Sequence, residues 1–177
     1  NDLICLSGDL GAAYMGLHLL EREKRACGGQ PDPKPKFEGH EYILGRQLKP
    51  EARTDIIERL AEAGIVPTSM IDITDGLASE TLHLCKSSGC GARIYLDRLP
   101  IARQTHDMAE ELHADPVVAA LNGGQDYELL FTVPLSKQQE IFALGVDVIG
   151  HVTAAGTGAM LVTPDGSEIA LKAPGWK

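Results

Sequence analysis

The chain has 177 residues, 44% of them hydrophobic, and sets 25 acidic side chains against 16 basic ones for a formal charge of −9. A chain of this length buries about 70% of the surface its unfolded form exposes, which excludes disorder as its general state. The negative field excludes nucleic acid and anionic membranes as ready partners, no apolar run approaches the roughly 18 to 20 residues of a spanning helix, and the start Asn1-Asp2-Leu3-Ile4 lacks the basic flank of a signal peptide, so a cytoplasmic protein is expected.

In chain order, residues 3–6 read as a short apolar strand, broken by Ser7-Gly8-Asp9-Leu10-Gly11. Ala13, Leu17 and Leu20 then recur at helical spacing, which predicts a helix to about residue 26. Residues 27–39, with Gly28-Gly29 and three prolines, form a loop by composition, either an exposed excursion or a lid. A second helix is expected over 53–63, with Ile56, Ile57, Leu60 and Ala61 on one face and Gly64 as its stop. Residues 70–73 read as a strand, and Asp75-Gly76 opens a third helix that buries Leu77, Leu82 and Cys85 and ends at Gly89. A strand over 92–96, a helix over 102–113 with Met108, Ala109 and Leu112 on one side, and a short helix over 116–121 follow. The turn Asn122-Gly123-Gly124 leads into a central strand over 127–133, then a helix near 137–144. The tail alternates short strands at 148–149, 160–162 and 169–171, with Asp165-Gly166 as a hairpin turn. The sum is an α/β (α+β layered) domain in which helices pack on a mixed β-sheet.

Four cysteines, Cys5, Cys27, Cys85 and Cys90, contain no Cys-x-x-Cys pair, so reduced thiols are expected. His83, Cys85 and Cys90 lie near one another in sequence but lack a fourth zinc ligand at a sensible spacing.

Three segments are candidates for chemistry. Asp72-Ile73-Thr74-Asp75-Gly76-Leu77 places two carboxylates three apart where a strand meets a helix start, an arrangement suited to Mg²⁺ shared with substrate phosphates. The alternative is that Asp75 caps the helix and Asp72 is an exposed strand end. Asn122 to Glu128 follows a Gly-Gly turn with polar side chains; if extended, Gln125 and Tyr127 share one face and Asp126 and Glu128 the other. It reads equally as an ordinary turn. Ser7 to Ala13 is a glycine turn that can receive a phosphate at a helix N-terminus, although it matches neither common phosphate-binding glycine motif. Trp176, the only tryptophan, either stacks on a ligand or pins the tail to the core.

Taken in order, these segments resemble the C-terminal half of the thiamine-monophosphate kinase family, in the superfamily of aminoimidazole ribonucleotide synthetase. The resemblance runs over residues 1–177. Residues 3–13 resemble the strand and glycine turn that begin the family's C-terminal domain, and residues 42–53, with Pro50 and Arg53, its Pro-and-Arg helix entry. Asp72 to Leu77 is similar to an Asp-x-Ser-Asp-Gly-Leu signature, Gly123 to Phe131 to a Gly-Gly-Glu-Asp-Tyr-Glu-Leu segment, and Gly175-Trp176 to a C-terminal aromatic.

The resemblance implies transfer of the ATP γ-phosphoryl group to thiamine monophosphate, giving thiamine diphosphate and ADP. It also implies that Asp72 and Asp75 are catalytic and hold Mg²⁺, that Thr74 contacts ATP in place of the family's Ser, and that Gln125 and Trp176 meet the substrate. Gln125 stands where the family has Glu, so the site keeps an acceptor oxygen and loses a charge. By the same resemblance the chain is a single C-terminal domain of a longer two-domain enzyme, its N-terminal nucleotide-binding domain lies outside the chain, the 177 residues alone are inactive, and the full-length protein is a homodimer. The alternatives are a superfamily sibling acting on another phosphorylated small molecule, and a non-catalytic module that binds thiamine phosphates or nucleotides.

Overall fold

The structure, a computed structural model, describes residues 1–29, 32 and 34–173. Seven strands and seven α-helices follow one another along these residues: β1 (Leu3–Leu6), α1 (Ala12–Cys27), α2 (Glu41–Leu48), α3 (Thr54–Glu62), β2 (Ser69–Asp72), α4 (Leu77–Ser88), β3 (Gly91–Tyr95), α5 (Arg103–Leu112), α6 (Pro116–Asn122), β4 (Leu129–Val133), α7 (Gln138–Ala143), β5 (Asp147–Thr153), β6 (Ala159–Val162) and β7 (Glu168–Ala170). The strands make one mixed sheet in the order β2-β4-β1-β5-β3-β6-β7, antiparallel throughout except for the parallel β3–β6 pair. The expected layered α/β architecture is therefore present. Among the described residues no helix is long and apolar enough to cross a membrane.

β1 is central because its side chains are apolar on both faces. Ile4 and Leu6 enter the core covered by α4 and α6, while Leu3 and Cys5 enter a second core with Ile56, Leu60 and Phe131 on the opposite face. A third cluster joins α1, α2, α5 and α6 through Met15, Leu19, Ile43, Met108 and Ala119. Burying these side chains supplies most of the drive to fold, about 1.5 to 3 kcal/mol for each large one.

Several expectations need correction. On α1 Ala13 is buried as expected, together with Ala12, Met15, Gly16, Leu19 and Glu23, but Leu20 is only half-buried and Leu17 is exposed. Ile57 of α3 faces solvent while Ile56 and Leu60 are buried, and Leu82 and Cys85 are only half-buried on α4. Helix α2 is absent from the periodicity because Ile43 is its sole fully buried side chain. It is held instead by close approach to α1, where a Cβ at Gly16 would lie 2.6 Å from the Ile43 carbonyl. The fourth strand begins at Leu129 and not at Tyr127, since Gln125 and Tyr127 both adopt positive φ, 63° and 53°. Trp176 lies outside the described residues.

Candidate functional site

The two sequence signatures form one structural unit. Past the end of β2, the backbone continues a ladder against the segment before β4: the Ile73 amide donates to the Glu128 carbonyl at 2.8 Å, Tyr127 to Ile73 at 2.9 Å, and Gln125 to Thr74 at 2.8 Å. The glycines let these chains approach closely. At Gly124, which sits at φ +70°, a Cβ would lie 2.3 Å from the Thr74 carbonyl, and at Gly76 it would lie 2.6 Å from that of Leu121.

Glu80, only 2% exposed on α4, fixes the loop from its other side. One of its carboxylate oxygens accepts the Thr74 amide at 3.0 Å, the Thr74 hydroxyl at 3.2 Å and the Asp75 amide at 2.8 Å. Charge-assisted bonds of this kind are the stronger ones, and buried amides need a partner. The capping position of α4 is Gly76, without a side-chain cap, so the reading of Asp75 as the helix cap is not what the structure has. Asp72 and Asp75 remain exposed at opposite ends of the Ile73-Thr74 step, and Gln125 is exposed beside Thr74.

Asp126 and Glu128 turn inward together, as their spacing pairs them, but the backbone between is not extended, since Gln125 and Tyr127 are left-handed. A non-glycine residue in this region costs about 1 to 3 kcal/mol and persists where its surroundings enforce it. Here the intervening Asp126 is 4% exposed, and its carboxylate accepts the Gly11 amide at 3.0 and 3.1 Å and the Ala13 amide at 3.5 Å. The anion position at the start of α1, expected to suit a phosphate, is therefore filled by Asp126. Burial pushes Asp126 up to about 6, against the opposing pull of the Gly11 amide and of Arg46.

Glu128 is the second inward carboxylate and is 1% exposed. It accepts Arg46 Nη1 at 2.8 Å and also pairs with Arg53 and with the Ser7 hydroxyl. Arg46 reaches further, donating to the carbonyls of Asp9 at 3.0 Å and Asp126 at 3.3 Å, while Tyr42 donates its hydroxyl to Asp9 at 2.6 Å. Tyr42, Arg46, Arg53, Asp126 and Glu128 line a cleft of about 730 Å³ between α2 and the segment before β4. Asp72, Thr74, Asp75 and Gln125 do not line it, and its two arginines are spent on Glu128 and Asp55. The cleft is thus the supporting network behind the signatures.

The structure brings Thr74, Asp75 and Gln125 together and sets Asp72 at the end of β2, paired with Leu129. Among the described residues no group of three or more His, Cys, Asp or Glu side chains gathers as a metal site. The donor set at the loop is two exposed carboxylates, hard oxygen ligands that fit Mg²⁺ where phosphate oxygens and water complete the shell. Sequence reasoning missed Glu80 and Arg46. Glu80 lies five and six residues beyond the amides it binds, outside the four-residue capping-box spacing, and no local pattern marks Arg46 as the partner of a carboxylate 82 positions away.

Residues 1–163 match the family described as AIR synthase related protein, C-terminal domain. The chain is similar to the thiamine-monophosphate kinase of Aquifex aeolicus, with 32% identity over 177 residues that cover 99% of the chain and 51% of the relative. It is 35% identical over 185 residues to that of Escherichia coli K12, covering 99% and 51%. The solved structure described as AaThiL complexed with AMPPCP and TMP superimposes with a TM-score of 0.74 at 31% identity, over 96% of this chain and 49% of that one. The chain spans about half the length of the curated relatives it matches.

Proposed function

We propose, because the chain belongs to the family of AIR synthase related protein C-terminal domains, that it is the C-terminal domain of a longer two-domain kinase. In this reading ATP phosphorylates thiamine monophosphate to thiamine diphosphate. Thiamine-monophosphate kinases match nearly the whole chain, and the fold-matched AaThiL structure is a complex with AMPPCP and TMP.

One observation carries the reading. The Thr74-Asp75 loop is pinned by Glu80 on one side and by the Gln125 to Glu128 backbone on the other, yet Asp72 and Asp75 are left exposed. A rigid loop that holds two carboxylates outward is suited to organising a charged ligand, since positioning lowers the barrier only when the groups are already in place. Asp72 and Asp75 would hold Mg²⁺, with phosphate oxygens supplying further ligands. When bound, the ion neutralises charge on the phosphates and brings them into line.

The chain's own residues have simpler tasks. The acceptor phosphate is already an anion at neutral pH, so no strong general base is needed. Thr74 contacts the nucleotide, while Gln125, held left-handed beside it, presents an amide to the thiamine moiety. Trp176, outside the described residues, would stack on the same group. The other half of the protein supplies the remaining nucleotide contacts and the homodimer interface.

The test is a full-length parent incubated with Mg²⁺, ATP and thiamine monophosphate, with thiamine diphosphate and ADP expected in equal yield. Folded, ATP-binding protein that forms no thiamine diphosphate would sink the proposal. Gln125 favours one second reading, a sibling enzyme acting on another phosphorylated small molecule; ADP release with a different phosphorylated acceptor and none with thiamine monophosphate would select it. The 177 residues alone are expected to be inactive, and steady turnover by them would refute that expectation.

A further inference from the structure

Helix α4 ends in a turn that brings two thiols together. Gly89 adopts φ 62° and ψ 37°, and the Cys90 amide donates back to the Cys85 carbonyl at 3.0 Å. This six-residue closure is the Schellman ending, in which the side chain three positions inside the helix meets the one just beyond the turn, usually as an apolar contact. Here both are cysteines. Both are free and half-buried rather than sealed, and the Cys90 thiol lies near enough to Cys85 to act on it electrostatically. They line a cavity of about 330 Å³ shared with the hydroxyl-bearing Thr68, Ser69, Thr81 and Thr132, so a small polar reagent has room beside them. By contrast, Cys5 is fully buried in β1 and Cys27 ends α1.

We propose that Cys85 and Cys90 form a reversible dithiol–disulfide site whose co-reactant is a low-molecular-weight disulfide of the glutathione class. The thiolate of one cysteine attacks a sulfur of oxidised glutathione, expelling one glutathione thiolate and leaving a mixed disulfide. The second thiolate then attacks the protein-bound sulfur, forming the Cys85–Cys90 bond and releasing the second glutathione. The protein gives up two electrons and two protons, and one glutathione disulfide becomes two thiols. Two cysteines bridge only when their backbones are close, with Cα atoms within about 7 Å, and the turn that returns Cys90 onto Cys85 supplies that closeness. Burial and then the Cys90 thiol push Cys85 up to about 11, which keeps it protonated near neutrality. The site therefore responds slowly, to sustained oxidation and not to brief exposure.

The 177-residue chain, equilibrated in glutathione buffers of rising oxidised fraction, then acid-quenched, alkylated in denaturant and digested with trypsin without reduction, tests this. Trypsin cuts after Lys86, so the bridge joins two otherwise separate peptides, residues 60–86 and 87–93. The expected product is this linked pair, lost on reduction, formed while Cys5 and Cys27 are still alkylated. In Cys85→Ser or Cys90→Ser the remaining cysteine should retain glutathione, because no neighbour displaces it. Separate alkylation of both thiols, stable glutathione on each in the unchanged chain, or pairing of either with Cys27 would overturn the proposal. The digest of the unchanged chain decides the matter if a variant fails to fold.

Discussion

Asp126 and Gly11 are joined across 115 positions of sequence, the two carboxylate oxygens taking the Gly11 amide at 3.0 and 3.1 Å. The first amides of a helix have no partner within it and attract anions. At α1 that role is filled by a side chain from the segment that also pins Thr74, so the β1 turn, the start of α1 and both signatures lock together. The start of α1 therefore has no amide left for a phosphate at Gly11.

This carboxylate gives the fold a pH signature. Asp126 holds its proton more tightly when folded, near pH 6, than the ordinary 3.8 of an exposed Asp. Its contribution is therefore favourable below about pH 4 and is lost as the pH rises through 6. Relative to Asp126→Asn, which does not titrate, the unchanged chain should lose roughly 2 kcal/mol between pH 4 and pH 7. Urea unfolding of both proteins at the two pH values measures this, and a difference independent of pH would refute the assignment.

Glu128 answers a different question, since two guanidinium groups converge on it. Glu128→Gln keeps the shape and removes the charge, leaving Arg46 and Arg53 beside each other without it. Breaking a buried pair costs about 3 to 5 kcal/mol, and partial exposure of both arginines moves the expectation to the lower end, about 3 kcal/mol. Arg46→Lys should cost less but not nothing, because a lysine cannot span Glu128 and the carbonyls of Asp9 and Asp126 together. Denaturant midpoints check both, and an Arg46→Lys variant as stable as the unchanged chain would deny Arg46 its bridging geometry.

Two glycines should respond in opposite directions to the same substitution. Gly124→Ala places a methyl 2.3 Å from the Thr74 carbonyl at a backbone angle that disfavours it, and should cost about 3 kcal/mol or more. Gly45→Ala lies within α2 with nothing inside 4 Å and should stabilise by about 1 kcal/mol through helix propensity. Thermal unfolding of the pair tests whether the signatures are held by close backbone approach.

The sheet and most helices are legible in the sequence because their signals are local. Leu3 to Leu6 is apolar at every position, and Asp115 before Pro116 starts α6, where it accepts the Val117 amide. The Gly-Gly turn and the two acidic segments stand out in the same way. What is illegible depends on contacts between distant residues. Helix α2 carries one buried anchor and takes its place from Gly16. That Asp126 and Glu128 share a side is legible from their spacing, but the left-handed backbone at Gln125 and Tyr127 is one that no propensity predicts for Gln and Tyr. Glu80 reads as an ordinary helical glutamate until the loop folds over it.

Gln125 separates strain from recognition. Its φ of 63° suits glycine, so Gln125→Gly should relieve about 1 kcal/mol of backbone cost, while Gln125→Glu leaves that cost unchanged. Neither substitution disturbs a buried contact, because the side chain is exposed. If the amide meets the thiamine moiety, Gln125→Gly in the full-length parent should unfold later yet bind thiamine monophosphate more weakly. Gln125→Glu should tighten binding by about tenfold, the effect of a hydrogen bond gaining a charge. Calorimetric titration beside urea unfolding separates the two effects. A glycine variant that is more stable and binds equally well would remove Gln125 from the substrate site and leave its left-handed backbone as the consequence of Asp126 being drawn onto α1.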